Sequence, residues 1–157
     1  MLRISKLTDY ATVLLGRLAR DPAAQLTAAQ LATETQVAAT TVSKLLKQLQ
    51  RAGLVQSTLG THGGYRLARP AREISAAAIL DALEGPVTLT ACSAEHSQCE
   101  IESTCRVGGA WQRVNRAIRQ SLQEVTLADL AGLETGSTHF ANFDVKLRNG
   151  INEGRQS

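Results

Sequence analysis

The sequence predicts a mainly α-helical fold with one small β-hairpin in its first half. Apolar residues recur at intervals of three and four in several stretches, which is the spacing of one helix face. A glycine-rich segment near residue 60 separates two short runs with strand character. The 157 residues are 43% apolar but only 3% aromatic, so a single core of mostly aliphatic side chains is expected.

The first two helices are predicted from apolar stripes with start and stop signals. In LTDYATVLLGRLARDP, Asp21 and Pro22 end a helix whose apolar positions are Leu7, Ala11, Leu14, Leu15 and Leu18. In LTAAQLATETQ, Thr27 followed by Gln30 is a capping-box pattern, and Leu31 lies on the apolar face.

The third helix is predicted to have an apolar back and a polar, basic front. The helix predicted within VAATTVSKLLKQLQRAGLV ends at the stop signal Gly53. Its back contains Val42, Leu45, Leu46 and Leu49, and its front contains Thr40, Thr41, Ser43, Lys44 and Lys47.

Two strands, Leu54 to Thr58 and Tyr65 to Ala68, are predicted, joined by a Gly-rich turn through Gly60, His62, Gly63 and Gly64. Three helices and a hairpin in this order form a winged helix-turn-helix. The front of the third helix can enter a major groove, and the hairpin glycines allow backbone amides to approach the sugar-phosphate chain. The predicted DNA contacts are Arg3, Thr40, Thr41, Ser43, Lys44, Lys47, His62, Gly63, Gly64 and Arg66.

The charge distribution favours the same interpretation. Residues 1–72 contain ten Lys and Arg against three Asp and Glu, a net charge of +7, whereas the remainder has a net charge of −4. A basic half facing a polyanion explains this asymmetry. An unevenly charged solvated surface explains it as well, so the prediction of DNA binding depends on the order of the elements.

The second half is predicted to contain a short helix, a cysteine segment and a long helix. Ser75 caps ISAAAILDALEG, which ends at Gly85 and Pro86. In WQRVNRAIRQSLQEV a narrow apolar seam consists of Trp111, Val114, Ile118, Leu122 and Val125. This seam suits a partner helix or the chain's own domain equally. Thr126 and Asp129 begin a last helical turn, and residues 133–157 are predicted to form a flexible tail.

All three cysteines, Cys92, Cys99 and Cys105, lie in one segment with C-x6-C-x5-C spacing. This spacing is too wide for the CxxC pairs of a zinc ribbon or a thioredoxin-type site. The opening MLRISKLTDY has no apolar signal core, and we expect a cytoplasmic protein, where a disulfide framework is disfavoured. No nucleophilic triad pattern surrounds the thiols, so an enzyme is not expected. Thiolates favour soft metals and iron-sulfur clusters, but three cysteines need a fourth ligand.

Several motifs in this order carry a resemblance to a known family: SKLTDYA, TVSKLLKQLQRAGLV, GTHGGYRLARP, ISAAAILDALEGP, the spaced cysteines, WQRVNRAI and VTLADL. The chain from residue 1 to about 132 resembles the IscR/NsrR family of bacterial winged-helix regulators, and within it the regulators of SUF iron-sulfur assembly genes. The resemblance implies a homodimer held by the long helix, a cluster in the cysteine segment, and control of transcription by the state of that cluster.

The resemblance also implies candidate cluster ligands. One branch of the family uses a His three residues after the third Cys, but this chain has Gly108 there. Another branch uses an acidic residue near the start of the first helix of the partner subunit, and Asp9 matches that position. Asp9 is therefore the leading fourth ligand, with His96 and Glu100 as alternatives. An acid near a helix N-terminus also has an ordinary explanation, its interaction with the helix dipole.

The predicted function is thus a homodimeric, cluster-sensing regulator, a repressor of SUF-type iron-sulfur assembly genes. The predicted cofactor is a 2Fe-2S or 4Fe-4S cluster bound by Cys92, Cys99, Cys105 and Asp9. The predicted organisation is a DNA-binding domain (1–72), a cluster-binding segment with a dimerisation helix (73–132), and the tail. Two alternatives stay open: a thiol-based redox regulator without iron, and a cysteine-dependent enzyme or interaction module.

Overall fold

The structure is a computed structural model that describes residues 4–60, 63–88 and 108–133. Its helices in chain order are α1 (Lys6–Arg20), α2 (Ala28–Thr35), α3 (Ala39–Arg51), α4 (Ala76–Glu84), α5 (Gly108–Glu124) and α6 (Leu127–Leu130). Strands β1 (Val55–Thr58) and β2 (Gly64–Leu67) form a two-stranded antiparallel hairpin between α3 and α4. Among these described helices, none is long and apolar enough to cross a membrane.

Helices α2 and α3 form a helix-turn-helix because the intervening residues end one helix and start the next. Thr27 and Gln30 form the predicted capping box at the start of α2. Gln36 then adopts a left-handed conformation with a φ of 60°, and its side chain donates to the Thr33 carbonyl at 2.9 Å. A left-handed residue is a common helix stop, so α2 ends there and α3 begins three residues later.

The hairpin is attached to the helical body by its second strand. Leu26 forms an antiparallel bridge with Tyr65 through backbone bonds of 2.8 and 3.1 Å. Val55 is buried, and Leu67 across from it is partly buried, so one face of the hairpin packs on the core. The other face, with Gln56 opposite Arg66, is exposed. The hairpin therefore forms a wing with one anchored face and one free face.

A single core joins the helices on both sides of the wing. Ile74, Ile79 and Leu127 are at most 2% exposed and belong to the same buried cluster as the leucines of α1 and α3. Two backbone bonds, from Ala76 to Val125 and from Leu127 to Ile74, return the chain to this core after α5. Residues from both predicted segments, 1–72 and 73–132, thus contribute to one hydrophobic interior.

The predicted fold class, a mainly helical winged helix-turn-helix with a small hairpin and a long later helix, is confirmed. The first strand begins one residue later than predicted, and the second strand is shifted one residue towards the N-terminus. Leu7 differs more, because it is 38% exposed while Thr8 takes the inward position, 3% exposed. A hydroxyl is buried there because Glu84 accepts its hydrogen bond.

The seam of α5 divides into two parts. Trp111 and Val114 are 45% and 43% exposed, whereas Ile118 and Leu122 are half-buried beside α4. Arg119 holds the two helices together, since it donates to both carboxylate oxygens of Asp81 at 3.1 and 2.7 Å. The C-terminal half of the seam therefore packs on the chain's own domain, while the apolar residues of the N-terminal half are exposed.

Candidate nucleic-acid interface and the base of the cysteine segment

The front of α3 is exposed, polar and uniformly basic. Thr40, Ser43, Lys44 and Lys47 are exposed and Thr41 is half-buried, because the leucines on the opposite side face the core. Lys44, Lys47 and Arg51 are the charged residues of this helix, which contains no Asp or Glu. The described part of the chain contains no ion pair to any of these three cations. Their charges are thus available to a polyanion.

One face of α3 is open to solvent along its whole length. Its exposed face borders a shallow concavity of about 620 Å³ lined by residues from Ala39 to Arg51. Ala38 precedes the helix as its N-cap residue and gives no side-chain cap, so the first backbone N–H groups are left for solvent or for an incoming oxygen. Thr40 and Thr41 lie in this first turn, at the positive end of the helix dipole.

The wing is joined to the C-terminal end of α3 by a side-chain hydrogen bond. Gln50 donates from its amide to the Ser57 hydroxyl at 3.0 Å, which links the last turn of α3 to β1. The wing therefore begins beside the end of the helix that contains Lys47 and Arg51.

The two glycines at the start of β2 are required by close backbone contacts. A Cβ on Gly63 would collide with the carbonyl oxygen of Thr58, and one on Gly64 would lie 2.9 Å from the Leu26 carbonyl oxygen. Neither glycine has a positive φ, whereas Gly60 in the same turn has a φ of 112°. The wing turn thus needs glycine for two separate reasons, backbone contact at two positions and conformation at a third.

The residues that lead towards the cysteine segment follow a hydrogen-bonded junction between α4 and α1. Glu84, the last residue of α4, accepts from the Ser5 backbone N–H at 2.9 Å and from the Thr8 hydroxyl. Hydrogen bonds from Thr8 and then Ser5 hold the pKa of the Glu84 carboxyl below its ordinary value, since they stabilise the charged form. The residues after Glu84 line a cavity of about 290 Å³ together with Ile118 and Leu122 of α5.

Asp9 lies on a different side of α1 from this junction. Its side chain is exposed and lines a groove of about 480 Å³ between α1, α2 and α6, beside Val13 and Leu130. Among the described residues its carboxylate has no ion-pair partner. Asp9 is therefore accessible to a ligand or to a second chain, and it does not line the cavity at the base of its own cysteine segment.

The cysteines and several other predicted site residues lie outside the described residues. These are Arg3, His62, Cys92, His96, Cys99, Glu100 and Cys105, together with residues 134–157 of the predicted tail. Within the described ranges no group of three His, Cys, Asp or Glu side chains has the arrangement of a metal site. The structure thus describes Asp9 and the chain on either side of residues 89–107, up to Thr88 and from Gly108, and the ligand set stays a prediction.

The structure adds residues that the sequence interpretation did not select. For Glu84 the sequence does contain an indication, because an acid in the last turn of a helix interacts unfavourably with the helix dipole. Such an acid is expected to have a hydrogen-bond or ion-pair partner elsewhere. The pairing of Gln56 with Arg66 follows only once the strand register is known. The Asp81–Arg119 pair joins residues 38 apart, and nothing in the local pattern indicates it.

Comparison with known proteins connects this architecture to transcriptional regulators. Residues 4–132 match the Rrf2 family, described as iron-dependent transcriptional regulators. The global cysteine regulator CymR of B. subtilis has a TM-score of 0.66 and 27% identity, covering 86% of this chain and 100% of its own. For IscR of T. potens the TM-score is 0.62 and the identity 26%, over 82% and 85% of the two chains. For the oxidized form of CymR from Staphylococcus aureus the values are 0.60 and 31%, over 83% and 96%.

Proposed function

Because the chain belongs to the Rrf2 family of iron-dependent transcriptional regulators, we propose that it binds operator DNA as a homodimer and that an iron-sulfur cluster controls this binding. The genes that it represses are those of SUF-type iron-sulfur assembly, as the resemblance of its motifs implies. One observation carries the DNA-binding part of the proposal: the exposed front of α3 has three cations, no acid, and a wing joined to its end.

Duplex recognition assigns different work to the two elements. An α-helix fits a major groove, where Thr40, Thr41 and Ser43 reach base edges or phosphates through their hydroxyls. Lys44 and Lys47 supply charge for phosphates, and each such contact releases counterions. The wing, with Arg66 on its exposed face, lies against the backbone that flanks the occupied groove.

The exposed half of α5 supports a homodimer. Residues 109–114 of this helix are all exposed, so roughly 9 Å of helix lies before the half-buried Asn115. Trp111 and Val114 on this part are large apolar residues exposed to solvent. A second copy of the same helix would bury them, and two reading helices on one symmetric dimer would match two operator half-sites.

The cluster part of the proposal is supported by the donor set and by the placement of Asp9. Three thiolates are suitable iron ligands, and an exposed carboxylate without an ion-pair partner among the described residues is suited to the fourth position. Asp9 lines the groove between α1, α2 and α6 and not the cavity beside α4 and α5 of its own chain, which favours ligation by Asp9 of the partner subunit. A bound cluster would make the protein sensitive to oxygen and to the supply of iron.

The thiol-based alternative has a specific observation in its favour, since one of the similar structures is the oxidized form of a CymR protein. In that alternative the three cysteines respond to oxidation without iron. The two proposals predict different iron contents for the purified protein, and this difference provides the test.

Anaerobic purification tests the cluster directly. We expect a coloured protein with iron and acid-labile sulfide in stoichiometric amounts and visible absorption that fades in air. A colourless anaerobic preparation without iron would contradict the cluster and favour the thiol sensor. Weak duplex binding that does not change with salt would contradict DNA recognition and favour an enzyme or interaction module.

A further inference from the structure

We propose that Gln56 is a positioning residue for DNA binding, whose side-chain amide orients the Arg66 guanidinium towards a phosphodiester of the bound duplex. This inference rests on the DNA-binding function proposed above and assigns a role to a neutral wing residue. The observation behind it is a cross-strand pair on the exposed face of the wing.

Gln56 and Arg66 are direct partners in the antiparallel register of the hairpin. With its amide oxygen facing Arg66, Gln56 accepts from Nε at 2.7 Å and from Nη2 at 3.1 Å. Both side chains are exposed. One amide oxygen accepts both hydrogen bonds, so the pair orients the plane of the guanidinium as well as its position.

The chemistry of this pair leaves Arg66 competent to bind an anion. A guanidinium has five N–H donors, and Gln56 uses one on Nε and one on Nη2. The remaining donors include one on each Nη atom along the outer edge, which matches two oxygens of a phosphate. A neutral amide also leaves the positive charge of Arg66 intact, and no carboxylate in the described part of the chain pairs with it.

The strands that hold this pair are themselves fixed. The Leu26–Tyr65 bridge anchors β2 next to Arg66, and the Gln50–Ser57 hydrogen bond anchors β1 next to Gln56. Arg66 therefore has a defined backbone position beside the end of α3. Holding its side chain in one orientation before binding reduces the ordering that binding would otherwise require.

A double-mutant cycle measured by duplex binding at several salt concentrations tests the proposal. The variants are Gln56→Leu, Arg66→Gln and both together, with thermal unfolding measured for each. Gln56→Glu is a fourth variant, because a carboxylate keeps the cross-strand pair but neutralises Arg66. Lys44→Ala serves as the control for DNA binding by α3.

We expect Gln56→Leu to weaken binding by roughly three- to tenfold in the wild-type background and to have no further effect beside Arg66→Gln. In a plot of log affinity against log salt concentration, Gln56→Glu should reduce the steepness of the slope by about 0.9 while Arg66 is still present. The unfolding temperature of Gln56→Glu should not fall. A merely structural role for Gln56 would instead make Gln56→Leu weaken binding equally with and without Arg66.

Equal losses from Gln56→Leu in both backgrounds would overturn the proposal, because Gln56 would then act independently of Arg66. Full binding by Gln56→Leu, or a wild-type salt slope for Gln56→Glu, would overturn it as well. If these results occur while Lys44→Ala still weakens binding, the positioning role fails and DNA binding by α3 stands. If the wild-type protein binds no duplex, both proposals fail together.

Discussion

Lys44 and Lys47 lie on the exposed face of α3, and their ammonium groups pair with no carboxylate among the described residues. In the proposed complex with DNA, each ammonium group neutralises a phosphate. At the scale of single residues this makes their effect on DNA binding electrostatic, so it depends on salt concentration.

Lys44→Ala and Lys47→Ala should each weaken duplex binding and reduce the log-log salt slope by about one. Each change removes one phosphate contact and the counterions that it releases. The measurement is duplex affinity between low and physiological salt, with Arg20→Ala as a charge-matched control on an exposed position of α1. Wild-type affinity and slope in both lysine variants would show that α3 is not the reading helix.

Gly63 gives a second prediction at this scale. Gly63→Ala should lower the free energy of unfolding by about 1–3 kcal/mol and weaken duplex binding, because its Cβ collides with the Thr58 carbonyl oxygen. Gly109→Ala is the matched control, since its Cβ meets only an Arg113 nitrogen at 3.9 Å and an alanine favours the helix. Urea unfolding compares the two. Equal stability of both variants would remove the close backbone contact from the explanation of the wing.

At the scale of elements, Glu84 joins the end of α4 to the start of α1, next to the residues that lead towards the cysteine segment. Its lowered pKa means that the folded state favours the ionised carboxylate more than the unfolded chain does. The associated stability is fully present above the unfolded pKa and is lost as the pH falls through the folded pKa.

Glu84→Gln should therefore lower the free energy of unfolding at neutral pH, and the difference from wild type should shrink as the pH falls below the ordinary carboxyl value of 4.5. Urea unfolding from pH 7 to pH 3 measures this. Glu73→Gln is a suitable control, because Glu73 is an exposed acid outside α1 and α4. Asp129→Asn is unsuitable, because Asp129 takes part in a capping box. A difference independent of pH would contradict the role of the charge.

The elements themselves could be predicted largely from local sequence. Thr27 with Gln30, Ser75 and Thr126 cap helices as expected, because capping depends on residues three positions apart. The Glu84–Thr8 contact joins residues 76 apart and depends on how α4 packs on α1, which local pattern does not determine. Leu7 is exposed instead of facing the core for the same reason, since only packing decides which side of the first turn is covered.

At the scale of the whole molecule, the proposed site combines elements of two chains. The candidate ligand Asp9 lies on α1, away from the α4–α5 junction of its own chain, and the exposed part of α5 offers a surface for a second copy. The sequence identified Asp9 and the cysteines through their resemblance to a family. Periodicity and spacing alone do not identify the fourth ligand. Asp9 is far from the cysteines in sequence and, in this proposal, belongs to the other subunit.

Substitution of the candidate ligands should separate thiolates from carboxylate. Cys92→Ala, Cys99→Ala and Cys105→Ala should each abolish stable iron binding, whereas Asp9→Ala should leave a bound but more labile cluster. All four should remain folded, because the core consists of aliphatic side chains of the helices and wing. Iron per chain and decay of visible absorption in air provide the measurement. An Asp9→Ala cluster with wild-type lifetime would assign the fourth position to His96, Glu100 or an external group.

Control of DNA binding by occupancy of the cysteine segment is the centre of the proposed function, and duplex selection with both forms of the protein tests it. A randomised duplex pool is selected with anaerobic, cluster-bearing protein and with protein from which iron has been removed, and the affinity of both forms for the recovered sequences is then measured at fixed salt. We expect the two forms to differ at least about tenfold in affinity for one class of recovered sequence, a difference of about 1.4 kcal/mol. We also expect Cys92→Ala to behave as the iron-free form whatever its iron supply. Identical affinities for all recovered sequences in both forms would contradict control by the cluster.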